Sequence, residues 1–519
     1  RMGKEKKETP VEGIVFPTDA KGTRSTTTAG KAVWSAAISA VPGTEAINDA
    51  LMGEKDWRFG YVSHLVAIAQ ASARSRANTL AISNAGLASI LSSMEFVRDG
   101  KTSTLEAAMA APVPSKFFTA KITGSGALPA PGSELQLPFR GENLSGQAIV
   151  AQVEKWVAYG CMEPDVADAV KAVCADPTKI SLKGHCFVLI GAGSEMGPFT
   201  TLMRMGATVI ATGTKRANRW TRLLEIARAS PGTLLFPIDC AQGDLSDADL
   251  CAAAGCDLTC DTPELSAWVC AEASAKEFSA ITLGCYVYMD GEAHVRASVA
   301  MDVMTTALAA TAKKSGKKMA VAYLGSPGTC SVIPKEAHEA SIRNQAEAPL
   351  WHKLLSPQGN TMDPVTPDDG GEAVYLHNGF SITQGPNYAL AKTMQMWRAM
   401  VLREEMGVTV SSNMAPGTRT ASMLSSAAMS AYLDGQGHIV PCVSFDADTS
   451  AGLMALLLLF DITDPSSPAN PSVPLANPSS IFAKKGVHGG YWRSPWTLGS
   501  MGTALAVIGR VWKTQPAGL

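Results

Sequence analysis

The chain has 519 residues, 46% of them hydrophobic, which predicts one large decorated domain or two smaller ones with an ample core. Its 44 Lys and Arg nearly balance 46 Asp and Glu, for a net charge of -2. That balance gives no electrostatic reason to expect nucleic acid, while an anionic small molecule needs only a local positive site.

In chain order, residues 1–30 read as a poorly ordered polar tail, and 1–7 lack the apolar stretch of a secretory signal. From 31 to 109 the pattern is helical, with apolar residues at helical spacing in 62–69 and 80–91. A short strand at 117–123, a Gly/Pro/Ser linker at 124–133 and helices at 148–159 and 164–173 follow. Residues 31–180 therefore read as a mostly helical N-terminal extension.

From Gly184 the text alternates strand, turn and helix. Strands are predicted at 186–190, 207–212, 232–239, 280–288, 318–324 and 407–411. Helices are predicted at 198–205, 262–275, 295–314 and 451–458. The expected fold class is α/β: a doubly wound parallel sheet of Rossmann type over 181–495, with the helical extension and a long insertion at about 331–380. Residues 496–519 read as a C-terminal helix and tail. A packed helix is the plainer reading, and an amphipathic segment making peripheral membrane contact is the alternative.

No apolar run reaches membrane-spanning length. The eleven cysteines show no framework spacing and no Cys-x-x-Cys. They suit a reducing intracellular compartment, cytoplasm or organelle interior, better than secretion. Cys256 and Cys260 read as packed thiols.

The turn after the first sheet strand reads Val188-Leu-Ile-Gly191-Ala-Gly193-Ser194-Glu-Met-Gly197. A dinucleotide's pyrophosphate is held by backbone N–H groups at a helix N-terminus, approached so closely that side chains must be absent. Gly191, Gly193 and Gly197, with Ser194 among them, meet that need between a predicted strand and a predicted helix. A carboxylate closing the second strand would bind the ribose 2′-hydroxyl of NAD(H). That strand leads instead into Thr214, Lys215 and Arg216, whose two cations favour the 2′-phosphate of NADP(H).

Tyr388 and Lys392 stand four apart, on one face of a predicted helix. A phenol of pKa about 10 exchanges protons poorly at neutral pH, and a neighbouring ammonium would draw it toward the working range. The eight histidines are scattered, so no metal site is expected. His488 reads as part of a loop without chemistry.

Two further pieces stand in order with these: Ser326 after the strand Ala320-Val-Ala-Tyr-Leu-Gly325, and Pro416-Gly417-Thr418-Arg-Thr420 after the sixth strand. The arrangement resembles the short-chain dehydrogenase/reductase family, over about Gly184 to Gly490. The resemblance implies that Tyr388 exchanges a proton with the substrate oxygen and that Ser326 hydrogen-bonds the substrate carbonyl. It implies that Lys392 holds the nicotinamide ribose and tunes Tyr388. It further implies Asp239 near the adenine, Pro416 and Gly417 around the nicotinamide, and Thr418 and Thr420 beside its carboxamide.

The chain departs from the family pattern at several points. Glu195 stands where a glycine is usual, beside the expected pyrophosphate site. No Asn-Ala-Gly-like turn follows the fourth strand, and the asparagine that supports the catalytic lysine has no counterpart. Ser326 and Tyr388 lie unusually far apart, and Pro416-Gly417 reaches Thr420 one residue early. The expectation is an NADPH-dependent oxidoreductase interconverting a carbonyl and an alcohol on a bulky small molecule or acyl substrate, as a homo-oligomer or within a protein complex. The alternative is a structural or assembly subunit of the same fold with lost or reduced activity. A dehydratase or isomerase on the same scaffold is a third reading.

Overall fold

Strands buried on both faces need no polar side, and the apolar runs of this chain form the centre of a sheet for that reason. The structure, a computed structural model, describes residues 11–512 apart from 20, 114, 130–132, 134, 177–179, 181 and 356. It is mixed α/β, with a seven-stranded, mostly parallel sheet flanked by helices. The strands are β1 (Phe118–Thr123), β2 (His185–Ile190), β3 (Thr208–Thr212), β4 (Thr233–Ile238), β5 (Ala280–Cys285), β6 (Lys318–Gly325) and β7 (Thr409–Met414).

Their order across the sheet is β7-β6-β5-β2-β3-β4-β1, all parallel except β1, which runs antiparallel along β4. The order reverses between β2 and β5. In open sheets of this kind, ligands bind outside the carboxyl ends of the strands at such a switch point.

Side chains alternate between the two faces, and each face has its own core. Cys186, Val188 and Ile190 of β2 join one cluster. Phe187 and Leu189 join the other, with residues of the helices Gln147–Tyr159, Pro164–Ala175, Ala217–Ala229 and Ala447–Thr463. The first cluster also holds three N-terminal helices, α1 (Thr26–Ser39), α2 (Trp57–Ala73) and α3 (Arg76–Ser93), and two later ones, α4 (Glu292–Lys314) and α5 (Pro386–Met406). The Trp34 ring of α1 meets the Trp397 ring of α5 edge-on at 5.1 Å. The helical extension and the sheet thus share one core, and β1 carries the extension into the sheet itself.

Two expectations need correction. The described part of the 1–30 tail, from Val11, contains a strand, Gly13–Val15, and the start of α1. Ile14, Val15 and Phe16 are buried, so a short apolar run outweighed the polar text around it. Arg296 of α4 fastens the strand by donating to the Ile14 and Glu12 carbonyls. Residues 1–10 and 513–519 lie outside the described residues.

Second, the helical reading of 31–109 missed a hairpin, Glu95–Arg98 with Lys101–Thr104. Its two-residue turn is Asp99-Gly100, both at positive φ, the turn chemistry such hairpins favour. The helix expected at 198–205 after the glycine turn is present as Phe199–Arg204.

The 331–380 insertion is stapled at its ends by an antiparallel pair, Cys330–Ile333 with Tyr375–Asn378. That pairing returns the chain to the sheet edge whatever the length between, because closing a longer loop adds little entropy. The C-terminal helix Leu498–Val511 buries Met501, Leu505 and Gly509 and packs on the helix Ala427–Gly435. Among the described residues no helix is long and apolar enough to cross a membrane.

Candidate active site

All carboxyl ends of the parallel strands open on one edge, and the sequence-predicted residues gather there by consequence. At Gly191 the backbone is left-handed, φ +86°, and a Cβ would lie 2.8 Å from the Val287 side chain. The Gly191 and Ala192 N–H groups donate to the Thr212 carbonyl at 3.2 and 3.0 Å, which ties the turn to β3. At Gly193 a Cβ would meet nothing within 4 Å. The turn is therefore rigid at its first glycine and open at its second, a cradle that a phosphate could approach. The short helix behind it supplies only a small dipole.

Glu195 does not turn back into this cradle. Its Oε2 accepts the Ala421 N–H at 2.8 Å, at the start of the helix Ala421–Leu424 beyond β7. Lys215 Nζ lies 3.9 Å from Asp239 Oδ2, across the ends of β3 and β4, with both side chains about half exposed. An exposed pair of this kind is worth ~0–1 kcal/mol, so an incoming anion separates it cheaply. Arg216 is exposed at the start of the helix Ala217–Ala229, and the Thr214 carbonyl accepts the Trp220 indole N–H at 3.1 Å.

Ser326 leaves the end of β6, and Tyr388 lies in the first turn of α5, which Pro386 opens without losing a hydrogen bond. Their hydroxyl oxygens are 2.6 Å apart, and the Gly328 N–H donates to Ser326 Oγ at 3.1 Å. One turn on, Lys392 Nζ donates to the Leu324 carbonyl at 3.2 Å and to Gln395 Oε1 at 3.3 Å. Gln395 in turn donates to Ser298 of α4 at 3.4 Å. The two helices are locked by a bidentate pair, Arg398 to Asp302 at 2.7 and 2.8 Å, almost fully buried. The hydroxyl pair thus sits on rigid elements.

Burial governs the protonation of this site. It lowers the Lys392 ammonium to about 8. It also raises the Tyr388 phenol above its ordinary value, against the lowering effect of hydrogen bonds with Ser326 and Gln384. The downward pull of Lys392 expected on Tyr388 is not among the causes of this shift, and the ammonium donates instead to Leu324 and Gln395.

The turn after β7 is more committed than its sequence suggested. The Thr418 hydroxyl donates to the Pro416 carbonyl at 2.9 Å and lies 2.8 Å from Ser450 Oγ, buried. Thr420 caps the helix Ala421–Leu424 through Met423 N–H at 3.4 Å. A Cβ on Gly417 would fall 2.1 Å from the Tyr491 hydroxyl, so glycine is required by close approach. His488 is buried and bonded to Glu163 at 2.9 Å, a structural role.

Two residues of the site escaped the sequence reading. Residues 286–288 lead from the glycine turn to Tyr388, and the Tyr288 ring stands 6.2 Å from that of Tyr388. The ring of His294, in the first turn of α4, has its centroid 5.0 Å from that of Tyr288 and 5.6 Å from that of Tyr388, with 1% exposure. The signal available was its position just past the carboxyl end of β5. Scans of the chain against protein-family models and curated proteins find no match.

Proposed function

We propose that the protein is an NADPH-dependent oxidoreductase, resembling the short-chain dehydrogenases/reductases, that interconverts a carbonyl and an alcohol on a bulky small molecule or acyl compound. The observation that carries the reading is the 2.6 Å Ser326–Tyr388 hydroxyl pair with Lys392 one helical turn away, at the carboxyl edge of a sheet whose order reverses beside the glycine turn. The open cradle at Gly193 and the loosely held Lys215 fit a dinucleotide with a 2′-phosphate.

That cofactor would supply or accept hydride. The chain's own residues handle the oxygen. Ser326 and Tyr388 hold the carbonyl oxygen between them, and Tyr388, kept protonated by burial, gives up its Oη proton as charge develops there. Lys392 keeps a positive charge nearby below pH about 8. Carbonyl reduction is therefore expected to be level on the acid side and to fall as pH rises through about 8. Lys392→Arg should remove that limb, because a guanidinium does not deprotonate there. A profile of kcat/KM against pH for both proteins reads this out, and an unchanged limb in the variant would detach it from Lys392.

Fluorescence titration with NADPH and NADH tests the cofactor reading. NADPH should bind more tightly, and Lys215→Ala/Arg216→Ala should weaken NADPH about 10-fold or more while barely touching NADH. One observation favours a second reading, a structural or assembly subunit. Glu195 places a carboxylate in the glycine turn and spends it on Ala421, a latch rather than a phosphate contact. Binding of neither nucleotide would leave that reading standing and end the first.

A further inference from the structure

His294 is the one side chain among the described residues with two buried polar atoms that lack a hydrogen-bond partner. Both ring nitrogens are unpaired, at 1% exposure. A buried donor or acceptor left unsatisfied forfeits its hydration without return, so such a ring is expected to meet its partners in some bound state. Its surroundings say which state. The ring packs against Tyr388, the proposed proton donor, and against Tyr288, a residue 56% exposed whose hydroxyl is tied to Asp290 at 3.1 Å. Tyr288 is thus a cover over His294, and the ligand side lies beyond it.

The charge state narrows the partner. Burial, aided by the nearby Lys392 ammonium, lowers the imidazole to about 3. A neutral imidazole offers one N–H donor and one acceptor, which suits a hydroxyl or carbonyl oxygen better than a carboxylate. The imidazole and phenol are neighbouring rings, so two oxygens held by them are separated by few bonds.

We propose that His294 is a specificity-determining residue that hydrogen-bonds a second oxygen one or two carbons from the reacting carbonyl, so that the site prefers hydroxyketone-type substrates to simple ketones. The proposal rests on the oxidoreductase reading for its reacting carbonyl. Its test has two arms. In the first, the His294 imidazole nitrogens of the ¹⁵N-labelled protein, assigned by their absence in His294→Gln, are followed while 3-hydroxybutan-2-one, 4-hydroxybutan-2-one or butan-2-one is added. Either hydroxyketone should move them more than butan-2-one does. Equal or absent shifts overturn the proposal and leave an ordered water as the partner of the ring.

In the second arm, the ratio of kcat/KM for hydroxyketone over butan-2-one is measured with NADPH. It should fall about 10- to 100-fold in His294→Leu and recover in His294→Gln, which keeps a donor and an acceptor. An unchanged ratio, or one that Gln does not restore, overturns the proposal. If the wild type oxidises NADPH neither with these compounds nor with any of a broader carbonyl set, the oxidoreductase reading fails, and the nitrogen shifts alone decide what His294 binds.

Discussion

Tyr388→Phe is expected to lower carbonyl turnover by about 10²- to 10⁴-fold, with the NADPH dissociation constant within about twofold of the wild type. The substitution removes one oxygen and with it the 2.6 Å bond to Ser326. The ring remains to fill its place against His294 and Tyr288, so the fold of the site should persist. The loss should fall on kcat more than on KM, because the proton moves only as charge develops on the oxygen. Stopped-flow or steady-state rates beside a nucleotide titration read both quantities. Turnover undiminished in the Phe variant would take Tyr388 out of the chemistry. Weakened nucleotide binding would instead mark the phenol as a structural prop.

The second large effect lies away from the chemistry. Glu163→Ala should destabilise the protein by ~3–5 kcal/mol, a large part of the roughly 5–15 kcal/mol that holds an ordinary domain. Glu163 is buried, takes a bidentate pair from Arg493 at 2.8 and 2.7 Å, and accepts from His488 at 2.9 Å. His488 Nδ1 then accepts the Gly490 N–H at 3.0 Å, and Tyr491 follows, its hydroxyl set against Gly417. Removing the carboxylate strands a mostly buried guanidinium and unfastens the loop behind the turn after β7.

Burial alone would raise the Glu163 carboxyl, but hydrogen bonds from His488 and Arg493 and their charges overcome it and hold the group at about 2. A carboxyl lowered on folding contributes stability above its unfolded value. That contribution is lost as pH falls from about 4.5 toward about 2. Urea unfolding at neutral and acid pH should show the gap between wild type and Glu163→Ala narrowing over that window. A gap independent of pH would assign the loss to packing.

Much of the sheet was legible because its signals are local. The run at 186–190 became His185–Ile190, and that at 318–324 became Lys318–Gly325, since a strand covered on both faces is a continuous apolar run. Tyr388 and Lys392 share a face because they are one helical turn apart, and that needs no tertiary knowledge. The Asp99-Gly100 hairpin was also written locally and was passed over for the helical text around it.

Other features depend on residues far apart in the chain. The strand at 117–123 was visible, but its place along β4 was not. Glu195 could be seen to crowd the glycine turn, yet its partner Ala421 lies 226 residues away. Lys215 and Asp239 were read as separate ligand contacts, and the parallel register sets their tips side by side. His294 and Glu163 carried no motif at all. What the sequence determined by itself was the alternation of strands and helices, the glycine turn and the Tyr388–Lys392 face, because period and spacing act over a few residues. Only the tertiary structure decided what each polar group meets, because the cost of burying a charge or an unpaired nitrogen depends on neighbours that spacing does not reveal.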